Sequence, residues 1–165
     1  MRPRKGSDPV TYTTHVVMRG LARRIRDLND EMRTIDDALT ELIGATAPSL
    51  LACHGVGVVT AATLLVTAGD NPDRLHTERS WAHLYGVAPV AAGSGKTSGR
   101  VRLSHGGNRN ANAALYQIVL TRTSSDPATR NYVRRRAEGR STREIMRCLK
   151  RYVARQTFKH LPRAA

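Results

Sequence analysis

Ser94 stands between two glycines, Gly93 and Gly95, and four cations follow it: Lys96, Arg100, Arg102 and Arg109. A hydroxyl in such company is a candidate nucleophile, and the cations suit the oxygens of a phosphoryl group, which a planar guanidinium holds by two points at once. The small residues around it let a bulky anion come close to the backbone. A serine also needs a base or a metal to accept its proton, and no residue beside Ser94 offers one. By residue type alone, an ordinary loop serine is the competing interpretation. The stretch from Gly86 to Leu115 reads as a glycine- and serine-rich loop, a short basic β-like run at residues 100–103, and a Gly106-Gly107-Asn108 turn that opens a helix.

The rest of the chain has to present this loop to something. Over 165 residues the net charge is +14, and the isoelectric point is about 11.1. The excess is uneven. From Arg100 to the C-terminus, sixteen Lys and Arg face three acids, Asp126, Glu138 and Glu144, so almost the whole imbalance lies there. Fourteen of the sixteen are arginine, the better phosphate ligand. Such a balance points to a polyanion, above all nucleic acid, with a solvated helical face as the plain alternative. Arg134, Arg135, Arg147, Lys150 and Arg151 are the candidate contacts in this half, beside Lys96, Arg100, Arg102 and Arg109.

Other chemistries fit less well. Gly95-Lys96-Thr97 resembles the end of a nucleotide-binding phosphate loop, but Val90 stands where that motif needs glycine, and a basic run follows instead of a helix. The six histidines and two cysteines show no zinc-ligand spacing, and acids do not cluster in the second half, so no metal site is expected in this chain. Cys53 and Cys148 are isolated and are expected to be reduced thiols. No apolar run approaches the roughly 20 residues of a membrane span, and no leader-like segment is evident. The expectation is a cytoplasmic, nucleoid-associated protein without a membrane partner.

The elements read as mainly all-α. Residues 1–12 read as a disordered lead-in. Residues 13–46 form one long helix in which Met18, Leu21, Ile25, Leu28, Met32, Ile35, Leu39 and Leu42 alternate spacings of three and four, the narrow stripe of a coiled coil. A helix packed on its own domain is the alternative. Residues 47–165 form a compact helical domain. Its first part, 49–69, reads as a helix-hairpin-helix turning at His54-Gly55-Val56-Gly57, where Gly55 and Gly57 could offer backbone N–H groups to a phosphate. A buried helical hairpin is the plainer possibility. A short helix capped by Thr77 carries Trp81, a core anchor. Helices at 108–124 and 127–137 follow, then one opened by the capping box Ser141-Thr142-Arg143-Glu144 and running to about Lys159, with Ile145, Cys148, Leu149, Tyr152 and Val153 inward.

Several of these residues also carry a resemblance: Gly55-Val56-Gly57, Ala68-Gly69-Asp70-Asn71-Pro72, Gly86-Val87-Ala88-Pro89, Ser94-Gly95-Lys96, Arg102-Leu103, Gly106-Gly107-Asn108-Arg109, and Ile145 with the run Arg147 to Tyr152. In this order they resemble the C-terminal domain of the IS-one-ten type insertion-sequence transposases, the Piv/MooV-like DEDD recombinases, and the long helix resembles that family's coiled-coil linker. The resemblance implies DNA transposition by an oligomer, with a structured guide RNA bridging donor and target DNA. It also implies that Ser94 attacks the DNA backbone to form a phosphoserine link, with Ser98 and Ser104 as fallback positions. A separate RuvC-like domain with four acids would bind Mg²⁺. That domain has no counterpart in these 165 residues, so the expectation is the serine-bearing part of a transposase, as a truncated product or a fragment. A non-catalytic nucleic-acid-binding remnant or regulator of the same fold is the alternative, and a coiled-coil assembly protein with a basic tail is a third reading.

Overall fold

The computed structural model describes residues 8–69, 75–91, 106–162 and the backbone of 101–103. Seven helices and one two-stranded ribbon are found among them, so the chain is mainly α-helical as expected. The chain divides after Thr40 into two compact units.

The first unit is made by helix α1, which runs Pro9–Thr46 and so enters the second unit by its last turns. It begins earlier than the expected residue 13. Asp8 accepts a hydrogen bond from the Thr11 amide (3.2 Å), and Pro9 follows at the first helical position, where its missing N–H is no loss. Residues 9–12 therefore belong to the helix and not to the lead-in, with Asp8 just before it. The expected stripe from Met18 to Ile35 is solvent-exposed, from 49% at Leu28 to 60% at Met18 and Met32.

In the second unit, α2 (Pro48–Leu51) is a single turn, and α3 (Val58–Ala68) follows after a tight bend. Helix α4 (Glu78–Leu84) is capped by Thr77, whose hydroxyl accepts from the Ser80 amide at 3.1 Å. Strands β1 (Pro89–Ala91) and β2 (Val101–Leu103) pair antiparallel, with Pro89 opposite Leu103 and Ala91 opposite Val101. Then come α5 (Arg109–Ser125), α6 (Pro127–Ala137) and α7 (Thr142–Phe158), capped by Asn108, Asp126 and Ser141 respectively.

Helix α5 is the central element, packed against α3, α6 and α7, while α4 lies on α7. Its Ala111, Leu115, Ile118 and Val119 are buried beside Leu50, Leu64, Val87, Trp81 and Tyr85. The Trp81 and Tyr85 ring centres lie 4.0 Å apart, and the Phe158 ring centre lies 6.3 Å from that of Trp81. Tyr85 also donates its hydroxyl hydrogen to the Leu64 carbonyl (2.7 Å), which ties the end of α4 to α3, and burial pushes its phenol pKa far up. Helix α7 buries Ile145, Leu149 and Val153, but Tyr152, expected inward, is half exposed.

Candidate nucleic-acid interface

Ser94, Lys96 and Arg100 lie outside the described residues, as does the Arg102 side chain; the Arg102 backbone pairs with Val90 in the ribbon. The structure defines how the ends of this segment are held. Gly86 has φ +64°, a left-handed conformation that glycine tolerates best. Gly107 is pressed against it: a Cβ on Gly107 would come within 2.1 Å of the Gly86 nitrogen. Across this contact the Asn108 amide donates to the Leu84 carbonyl (2.7 Å), and the Asn112 side-chain amide donates to the Tyr85 carbonyl (2.8 Å) and less closely to that of Gly86 (3.4 Å). Two chain segments, one leading into β1 and one leaving β2, are thus fastened together at their base.

Lys150 completes this fastening. Its ammonium donates to Asn112 Oδ1 at 2.7 Å, which fixes the orientation in which that amide faces Tyr85 and Gly86. The lysine is half-buried, and desolvation lowers its pKa, with repulsion from Arg147 adding to the effect. Its ammonium is engaged inside the protein, unlike the exposed cation that the sequence pattern suggests. Arg151 is similarly engaged. It pairs with Glu78 at 2.7 Å, and Arg155 reaches the same carboxylate at 2.9 Å, so one acid on α4 holds two arginines of α7.

The other expected contacts are on the surface. Arg109 is exposed at the first position of α5, and Arg135 and Arg147 are exposed on α6 and α7. Arg134 is exposed and donates to Asn131 Oδ1 (3.1 Å). Gly57 is the exposed N-cap of α3, its N–H bonded to the Thr60 hydroxyl at 2.9 Å. Gly55, with φ +79°, is packed against Ile118 and Arg122 of α5. Arg122 supports this bend by donating Nε–H to the His54 carbonyl (2.7 Å) and Nη1–H to Gln156 Oε1. The bend around Gly55 is therefore braced from beneath by an arginine that sequence reasoning did not single out.

The same is true of a cleft between α6 and α7. It has a volume of about 440 Å³ and opens beside Val87 and Pro89. Five arginines line it: Arg136, Arg140, Arg147, Arg151 and Arg155. Tyr132 and Tyr152 meet edge-to-face at 5.9 Å, and the Arg136 guanidinium lies 5.6 Å from the Tyr132 ring centre. Arg140 approaches the Cys148 sulfur at 3.9 Å. Burial raises the Tyr132 phenol pKa, and a hydrogen bond with the Cys148 thiol adds to it. Spacing could have revealed the cleft: Tyr132 and Arg136 are four apart on α6, as are Arg147, Arg151 and Arg155 on α7, and residues four apart share a helix face.

Three described acids of this unit are committed elsewhere. Asp126 caps α6 through the Ala128 and Thr129 amides, Glu144 caps α7 through Ser141, and Glu78 holds its two arginines. Among the described residues no group of three His, Cys, Asp or Glu could hold a metal ion. No described helix is long and apolar enough to cross a membrane.

Residues 47–134 match the family described as "Transposase IS116/IS110/IS902 family". A 43.6 kDa protein of insertion element IS110 from Streptomyces coelicolor is 31% identical over 150 residues, which cover 88% of this chain and 37% of the relative. A 42 kDa protein of insertion element IS900 from Mycobacterium paratuberculosis is 28% identical over 138 residues, covering 82% and 35% respectively. The chain thus spans a little over a third of the length of these curated relatives.

Proposed function

The chain belongs to the IS116/IS110/IS902 transposase family, and from that premise we propose that it supplies the serine nucleophile and much of the nucleic-acid-binding surface for strand exchange. Ser94 Oγ attacks a DNA phosphodiester. The Ser94 hydroxyl gives up its proton, a Ser–O–P bond forms, one P–O ester bond breaks, and the departing strand's oxygen takes up a proton to leave as a free hydroxyl. The exchange conserves the number of phosphoester bonds, so the reverse attack by a second strand's hydroxyl can reseal DNA. Arg109 and the exposed arginines of α6 and α7 bind the DNA backbone, and a structured guide RNA occupies part of the same basic surface. Exposed apolar residues along α1 pair with a second copy in a coiled coil. The divalent ion belongs to acids outside this chain.

What supports this reading most is the fastening at Gly86, Gly107, Asn112 and Lys150. A reactive loop must be delivered to a phosphorus atom within a fraction of an ångström. Ser94 lies three residues beyond Ala91, whose strand partner is Val101, so its segment starts and ends on a fixed base. The test is formation of detergent-resistant protein–DNA adducts with the acid-bearing domain supplied in trans. Ser94→Ala should abolish adducts while leaving DNA affinity within about twofold, since a surface hydroxyl contributes little to binding held by phosphate contacts. Adducts that persist in Ser94→Ala would overturn the assignment.

A further inference from the structure

The cleft between α6 and α7 has features that backbone binding does not require. Contact with duplex phosphates needs only exposed cations on a convex or flat surface. Here the cations surround a concavity of about 440 Å³, within the range of small-molecule sites, roughly 300–1,000 Å³. Tyr152 on its wall is half exposed, and Tyr132 packs edge-on against it, which fixes the orientation of its ring. Val87 and Pro89 add apolar surface.

The charges are also divided in a useful way. Arg151 and Arg155 share the single Glu78 carboxylate, which offsets one of their two charges. Among the described residues, no carboxylate forms an ion pair with Arg136, Arg140 or Arg147. Glu144 lines the cleft near Arg140 and Arg147, but its carboxylate accepts the Ser141 amide and hydroxyl, at 2.9 and 2.8 Å. An aromatic wall beside three guanidinium groups that form no salt bridge suits a planar base joined to a phosphate. In a perfect duplex the faces of the bases are covered by their neighbours, so only an unpaired nucleotide can use the ring.

We propose that this cleft holds a single unpaired nucleotide of a nucleic-acid strand, its base stacked on Tyr152 and its phosphate held by Arg136, Arg140 and Arg147. The proposal rests on the nucleic-acid-binding reading above and adds a strand-distortion site to it. Because Pro89 is both a wall of the cleft and the first residue of β1, the extruded nucleotide sits at the base of the Ser94 ribbon. Opening the duplex there would loosen the strand next to the reactive loop.

The test uses the full chain and two DNA probes: a perfect duplex, and the same duplex with one bulged 2-aminopurine. Stacking on an aromatic side chain is worth about tenfold in affinity per base. The wild-type chain should prefer the bulged probe by about that factor and quench its fluorescence. Tyr152→Ala should erase both the preference and the quenching while perfect-duplex affinity stays within about twofold, and Tyr152→Phe should retain them. Tyr152→Leu keeps apolar bulk without a ring and should behave as the alanine variant does, which guards against a packing defect. Equal affinity of the wild type for both probes, or a preference that survives in both ring-less variants, would reject the site. Poly-glutamate displacing the bulged probe as well as DNA does would reassign the cleft to an acidic peptide. Competition by free deoxyadenosine monophosphate at oligonucleotide-like concentrations would reassign it to a free nucleotide. Failure to bind either probe would remove the broader reading as well, whereas loss of bulge preference alone leaves that reading intact.

Discussion

Helices α1 and α7 carry similar apolar stripes with opposite fates. In α7, Ile145, Leu149 and Val153 are at most 7% exposed, because α5 and α4 lie against them. In α1, Leu21, Ile25, Leu28 and Met32 repeat with the same regularity, yet each is about half exposed. Periodicity identifies which face of a helix is apolar. It carries no information on whether the cover comes from the same chain or from another. The width of the stripe is the better guide: the apolar residues of α1 stay on a two-in-seven seam, which suits one facing helix, whereas the last helix of a compact unit meets several neighbours.

Substitutions on the two stripes should therefore act differently. Leu149→Ala leaves a cavity between α7 and α5 and should destabilise the second unit by about 2–5 kcal/mol, measured by urea unfolding. A loss below about 0.5 kcal/mol, the range of ordinary surface changes, would mean that α7 is not packed as described. Leu28→Ala should leave that unfolding transition within about 0.5 kcal/mol of wild type. It should instead weaken self-association in sedimentation equilibrium, and an unchanged association constant would break the comparison.

The smallest effect concerns pH and is specific to α7. Hydrogen bonds from the Ser141 amide and then its hydroxyl hold the Glu144 carboxyl below the usual carboxylate range. A depressed carboxylate stabilises the fold at neutral pH, and the contribution is lost as pH falls through the lowered value. Unfolding should become easier in acid by this route, and Glu144→Gln should reduce the acid dependence. An identical pH profile in the variant would show that the cap makes no contribution.

The caps at Thr77 and Ser141, and the turn at Asn108 that proves to be a cap, are legible in the sequence because they are local. Thr77, Asn108 and Ser141 each bond an amide three residues ahead, so the pattern and the structure involve the same few residues. The ribbon was legible as a basic β-like run, although its pairing to residues 89–91 was not. Lys150 and Arg151 were readable only as cations. Their partners, Asn112 and Glu78, lie 38 and 73 residues away, and no periodicity links them. Tyr152 was read as inward by the same 3.6-residue logic that placed Leu149 correctly. It lies at the margin of the buried face, where the gap between α6 and α7 determines exposure. The family resemblance, by contrast, was carried by short glycine- and arginine-bearing motifs whose order along the chain survives without any knowledge of contacts.

The close contact of Gly86 with Gly107 also bears on what can stand at these two positions. A Cβ at position 107 would strike the Gly86 backbone, and Gly86 itself sits at φ +64°, so the fold penalises any side chain at either position.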